Sequence, residues 1–229
     1  ETDATTHANV EIAGDGNPWR PAGDEAFGNL NALLADGGAR LAIDGVVDVP
    51  LQLVHLNVHD GQDRAMHLRH AMRIEADAAL TLVEHQIGDA GNANLDNSRF
   101  EIVLGERARL VHLRLQQDGP RATRVLRSEV RLAAHADYRR LDLESGAALS
   151  RHELGIRLEG ESATLHCAGV LLADGKRHLD TRLDIVHAAK GTRSTLPWRA
   201  LADDRGRAVF HGGIAIEAGA DGSEAELQN

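Results

Sequence analysis

The chain has 229 residues, a net charge of −10, 42% hydrophobic side chains and only 3% aromatic ones. That length buries a sizeable core, which must be built from Leu, Ile, Val and Ala, and the acidic balance excludes a general nucleic-acid binder, which needs a basic face to displace counterions. One cysteine, Cys167, excludes an internal disulfide framework and fits a reducing, cytoplasmic setting. No apolar run approaches the roughly 18 residues of a membrane span, so no membrane partner is expected.

Residues 1–23 are rich in Thr, Gly, Asp and Asn and are predicted to form a weakly ordered arm, with neither the basic end nor the apolar stretch of a signal peptide. A short helix is predicted over 24–38. Asp24 stands as its N-cap, Phe27, Leu30, Leu33 and Leu34 fall on one face, and Gly37 and Gly38 close it. From 39 to 229 apolar residues alternate with period two, and this span reads as one β domain. Phe100, Ile102 and Leu104 point one way, as do Val111, Leu113 and Leu115, Val130 and Leu132, and Leu154, Ile156 and Leu158. Leu183 with Ile185 and Ile214 with Ile216 repeat the pattern, so each segment is expected to offer that apolar face to a core.

Two all-β architectures compete, an antiparallel sandwich and a solenoid. Internal repetition favours the solenoid. Gly-Glu-x-Ala-x-Leu occurs at 105–110 and again at 160–165. A looser Ala-x-apolar unit recurs at Ala39/Leu41, Ala78/Leu80, Ala108/Leu110, Ala136/Tyr138, Ala163/Leu165 and Ala208/Phe210, and its central members, at 78, 108, 136 and 163, lie 30, 28 and 27 residues apart. A small residue at a tight corner followed by an inward apolar one is what a coil needs where it turns from one sheet to the next. Only Asp174-Gly175 reads as a hairpin tip. The predicted fold is mainly β, a parallel β-helix preceded by a short N-terminal helix.

Motifs for chemistry fail one after another. Gly175-Lys176 lacks the earlier Gly and the following Ser or Thr of a phosphate loop, since Val170 and Arg177 stand there. Gly14-Asp15-Gly16 has Trp19 in place of the third glycine of a dinucleotide fingerprint. His152-Glu153 has Ile156 in place of the second zinc ligand. Among the 13 histidines, His67 and His70 face opposite sides of a strand, and His55 and His59 share a face without a third ligand. Cys167, beside His166 on a strand, reads as a small buried hydrophobe facing away from the imidazole. No catalytic, cofactor-binding or metal residue is assigned.

Three stretches resemble a known family. They are Phe27-Gly-Asn-Leu-Asn-Ala-Leu-Leu-Ala-Asp-Gly-Gly-Ala continuing through Asp48-Val-Pro-Leu-Gln-Leu, the run from His187 to Pro197-Trp-Arg, and Asp204-Arg-Gly-Arg-Ala-Val-Phe-His-Gly-Gly-Ile-Ala-Ile followed by Ala220 and Gln228-Asn229. From about residue 27 onward the chain resembles the SufB/SufD family of iron–sulfur cluster assembly scaffolds, its front half being nearer the SufD branch than the SufB branch. The resemblance implies a right-handed parallel β-helix and membership of a complex with SufB and two copies of the ATPase SufC. It implies a cluster assembled at the level of that complex and no enzymatic activity or resident cofactor in this subunit. The family pattern continues beyond Gln-x-Asn into further β-helix and a helical SufC-binding region outside these 229 residues, so no functional residue is carried over. A β-helix left open at Asn229 is expected to form a weak homodimer through that end. A carbohydrate-active β-helix enzyme is the competing reading; it requires an acidic cluster in an open groove.

Overall fold

The computed structural model describes residues 7–12, 26–58, 60–91 and 93–229. Asp24, His59 and the 14–19 glycine segment, all weighed above, lie outside the described residues. The elements in chain order are β1 (His7–Ile12), α1 (Ala26–Leu34), β2 (Ala39–Asp44), β3 (Leu51–Asn57), β4 (Ala65–Ile74), β5 (Ala79–Gly88), β6 (Leu95–Leu104) and β7 (Arg109–Gln117). They continue with β8 (Thr123–Leu132), β9 (Asp137–Glu144), β10 (Leu149–Leu158), β11 (Thr164–Ala173), β12 (His178–His187), β13 (Arg193–Ala202), β14 (Arg207–Ile216) and β15 (Glu224–Gln228).

Alternate strands go to alternate sheets. The first sheet runs β1-β2-β4-β6-β8-β10-β12-β14 and the second runs β3-β5-β7-β9-β11-β13-β15. Every pairing is parallel except that of β1 with β2. Ile74, Leu104, Leu132, Leu158, His187 and Ile216 stand side by side across the first sheet, one coil apart. Parallel neighbours in two sheets, each one coil further along the chain, make a β-solenoid of about six turns. Asp174-Gly175 is therefore a coil corner and not a hairpin tip, because β11 and β12 belong to different sheets. Of the arm predicted over 1–23, residues 7–12 form β1, which pairs with β2.

The Ala-x-apolar unit marks the tight corner between the sheets. Ala78, Ala108, Ala136 and Ala163 are all fully buried there. The residue before each, Asp77, Arg107, His135 and Ser162, takes a left-handed backbone with φ of 62°, 57°, 57° and 58°. Each donates its N–H to a carbonyl of the next coil's corner, as in Arg107 to Ala134 at 2.9 Å. The glycine of the hexapeptide repeat is a packing requirement, since a Cβ on Gly160 would stand 1.9 Å from the Ala134 nitrogen.

Around this corner the core is apolar. Phe100, Ile102 and Leu104, Val130 and Leu132, and Leu154, Ile156 and Leu158 are buried as the alternation predicts. Near the C-terminal end, Trp198 packs across the Cα of Gly169 and stacks on Phe210 with ring centroids 4.9 Å apart. A Cβ on Gly169 would lie 2.1 Å from the indole ring. Gly169→Ala is therefore expected to lower stability by about 1–3 kcal/mol through overpacking, read as a shift in urea midpoint at constant slope; a midpoint within error of the parent would refute the account.

Three further expectations are corrected. Ile214 and Ile216 of the last coil are 37% and 55% exposed and not in the core. Helix α1 lies over β4 and β6 of the first sheet, but it buries Gly28 and Asn31, leaving Phe27, Leu30, Leu33 and Leu34 exposed, with Leu33 at 82%. Polar tethering sets that orientation. The Asn31 amide donates to the carbonyls of Leu68 (3.1 Å) and Asn97 (2.8 Å), and the Asn97 amide donates to that of Phe27 (2.9 Å). On β7, Val111, Leu113 and Leu115 point outward, while Leu110, His112, Arg114 and Gln116 point into the solenoid. The cause of this inversion is the polar half of the interior.

Candidate functional site: a sealed polar lumen

Each flattened coil has an apolar edge at its alanine corner and a polar edge opposite. The polar edge forms where the ends of the second-sheet strands meet the starts of the first-sheet strands. Inward rows there carry Glu84 and Gln86 on β5, Arg114 and Gln116 on β7, and Asp142 and Glu144 on β9. They face Asp96 and Ser98 on β6, Arg124 and Ser128 on β8, and Ser150 and His152 on β10. All of these are buried. Stacking in parallel register places opposite charges one coil apart, since Glu84 pairs with Arg114 and Arg114 with Asp142.

Hydrogen bonds join these groups along the solenoid axis. Arg140 donates to the Tyr138 hydroxyl at 3.2 Å, which sits 3.1 Å from His112 Nδ1. His112 Nε2 lies 3.0 Å from Glu84, and His55 approaches the other Glu84 oxygen at 3.4 Å. Arg114 donates to Gln86 at 2.9 Å and to Glu144 at 3.1 Å. Glu144 also accepts from Thr181 at 3.0 Å and lies 3.3 Å from His152 Nδ1. A second knot holds Arg124 between Asp118, at 2.6 and 2.8 Å, and Asp96, at 3.1 Å.

The protonation states follow from burial set against partners. Burial alone raises the Glu84 carboxyl, but the hydrogen bond from His112 and the nearby His55 and Arg114 outweigh it and hold the group well below the usual carboxylate range. Glu144 is likewise pulled down to about 2, chiefly by Arg114 and His152 against its burial. Burial lowers His55, His112 and His152. It takes His70 down to about 4, helped by His55, whose ring centroid is 4.8 Å away. With these imidazoles neutral, five buried carboxylates (Glu84, Asp96, Asp118, Asp142, Glu144) face three buried guanidinium groups (Arg114, Arg124, Arg140), a lumen charge of −2.

One cluster has the composition of a metal site. Ligand atoms of Asp142, Glu144 and His152 lie within 4.8 Å of one another. The Arg114 guanidinium already faces all three, at 3.9, 3.1 and 3.5 Å, so the cation complementing this cluster is the protein's own. Its neighbours in the lumen are engaged in the same way, and the acids are shut off from any extended substrate. A polysaccharide-cleaving groove needs acids at an open surface, and the five acids of this lumen are buried.

No single motif in the sequence marks this lumen. His152, half of a failed zinc motif in the sequence, is fully buried against Glu144. His67 and His70 do face opposite sides, His67 contacting Asn97 beneath α1 and His70 lying in the interior. Cys167 is buried and His166 exposed on the other face of β11, and burial pushes the Cys167 thiol up, which favours its neutral form. Among the described residues no helix is long and apolar enough to cross a membrane.

Comparison with known proteins sets this chain in a family. The family model described as SUF system FeS cluster assembly, SufBD core domain, matches residues 57–229. The iron–sulfur cluster assembly protein SufD of Escherichia coli is 26% identical over 182 residues, 79% of this chain and 43% of that protein. A SufBD family protein of Synechocystis is 25% identical over 218 residues, 90% of this chain and 48% of its own length. The chloroplastic protein ABCI7 of Arabidopsis thaliana is 22% identical over 177 residues, 74% of this chain and 37% of its own length. The matched part of this chain thus spans between 37% and 48% of the length of these relatives. With its solenoid and three quarters of its length inside the family's core domain, the chain belongs to the SufBD family of iron–sulfur cluster assembly proteins.

Proposed function

We infer that this chain is a SufD-like scaffold subunit, non-catalytic by itself, which works in the cytoplasm with SufB and SufC in iron–sulfur cluster assembly. The observation that carries the reading is the SufBD core match over 57–229, laid on a solenoid whose acids, imidazoles and guanidinium groups are turned inward and paired with one another. A buried, internally hydrogen-bonded interior holds a shape and leaves the outer faces to meet other chains. The cluster is cargo of the assembly and not a resident group of this subunit.

Production of the full-length protein with SufB and SufC provides the test. We expect the three to co-purify, ATP hydrolysis to follow SufC, and this subunit alone to hydrolyse no ATP. ATP hydrolysis by the isolated subunit, or a SufB–SufC complex that excludes it, would sink the reading.

A further inference from the structure

The two sheets end differently on their N-terminal side. The first is extended by β1, which lies antiparallel beside β2. The second ends at β3, and among the described residues no strand lies on its outer side. Opposite β1, a slot one strand wide is therefore open beside β3. The backbone directions around it follow from the ladder. Ala79 donates its N–H to the Gly45 carbonyl at 3.0 Å and accepts from Val47 at 2.9 Å, so it faces back toward the first coil. Alternate residues of β5 do the same, and the register sets Val83 and His85 to bond Leu51, Leu53 and His55. The N–H and C=O groups of Gln52, Val54 and Leu56 then point away from β5, into the slot.

Sheet edges are ordinarily covered or blunted with charge. At the C-terminal end β14 carries Arg207 and β15 carries Glu224 and Glu226. By contrast β3, Leu51–Asn57, has no Asp, Glu, Lys or Arg, and its outward Val54 and Leu56 are 51% and 65% exposed. On its inward side Leu51 and Leu53 are only partly buried, whereas Leu82, beside Leu51 one coil on, is fully buried. The core is left half-covered at the same slot that holds the free backbone groups.

We propose that the β3 edge takes an extended segment of a partner protein as an added strand. Its alternate apolar residues cover Leu51 and Leu53 on the inner face and lie beside Val54 and Leu56 on the outer one. The backbone decides the form of this partner. A row of donors and acceptors roughly 20 Å long is complemented by another strand and not by a helix, whose own groups are already used. The first sheet decides the number. A second copy adding its own β3 would drive its first sheet into β1, so one strand fits and a copy of this chain does not. Nor do these 229 residues supply the strand. His7 faces Asp44, and the six residues ahead of it, at one per partner position, run out before β3 begins. Both ends of the link from β1 to α1 lie on the first sheet.

The test places the photo-crosslinker benzoylphenylalanine at Gln52, Val54 or Leu56, one at a time, in the full-length protein purified with its bound partners. Mass spectrometry then maps the products. The three positions are expected to capture one partner segment at residues two apart, the spacing of a strand. Val54→Pro removes an N–H that points into the slot and leaves the β5 ladder intact. It is expected to cut capture from Leu56 at least fivefold with an unchanged melting curve. Leu56→Lys, read by capture from Gln52, is the second variant, expected to act alike by placing a charge on the edge. Capture of residues three or four apart, of the protein's own chain, of a second copy or of no protein would overturn the proposal. So would undiminished capture in both variants. Each outcome reads this edge alone, so the family assignment and the scaffold reading stand or fall separately.

Discussion

Arg114→Leu is expected to destabilise the protein by about 3–5 kcal/mol, because it removes one partner of a buried ion pair and leaves the other charged. Arg114 faces Asp142 and Glu144, both fully buried, and also donates to Gln86. Without the guanidinium the two carboxylates repel each other in a medium that screens poorly. Combining the change with Glu144→Gln removes one of those charges, so the double variant is expected to be more stable than the sum of the single losses predicts. Urea unfolding followed by circular dichroism measures both quantities. A single-variant loss below about 1 kcal/mol, or strict additivity, would mean that the lumen charges contribute no coupled stability.

Acid is expected to unfold this protein in a range where many proteins are most stable. His55, His70, His112 and His152 are held neutral in the folded state by burial, His70 down to about 4. In the unfolded chain each takes a proton near 6.5. Between those values the unfolded state binds more protons, so stability is fully present above about pH 6.5 and falls as the pH drops toward 4. His70 alone contributes about 3 kcal/mol of this change, at about 1.4 kcal/mol per unit of difference. Below about pH 4.5 the loss continues, because Glu144 and Glu84 stay ionised in the folded state while the unfolded chain protonates. Urea midpoints at pH 7.5, 6, 5 and 4 are expected to fall at every step. A midpoint unchanged between pH 7.5 and 5 would place those imidazoles in water and not in the core.

The solenoid was legible because its grammar is local. The alanine corner and the period-two runs recur about once per coil, and the residues carrying them, Ala78 through Ala163 and Phe100 through Leu158, are buried as that repetition requires. The inversion on β7 was not legible from the strand itself. Val111, Leu113 and Leu115 look like a core face, and only the neighbours of His112 and Arg114 reveal that the polar set goes inward. A signal did exist one coil away: Glu84, Arg114 and Asp142 alternate in sign at about the repeat spacing, which parallel stacking turns into direct contact. Helix α1 misled for a related reason. Its leucines made the obvious stripe, but Asn31 and Asn97 anchor it through hydrogen bonds to the backbone carbonyls of Leu68, Asn97 and Phe27.

The outward leucines also bear on how such a chain reaches its fold. A slip of β7 by one residue would turn Leu113 and Leu115 inward and put Arg114 in water, an exchange that apolar burial taken alone favours. Glu84 on the coil before and Glu144 on the coil after decide for the native setting, since only that setting gives His112 and Arg114 their partners. A half-coil formed ahead of its neighbours therefore carries two competing registers, a local conflict that roughens the folding landscape. Growth outward from an already ordered coil resolves the conflict, because each finished coil presents the charges that the next must match. The stretch from β5 to β9 is thus proof-read by its own salt bridges, and it is where an isolated segment goes astray.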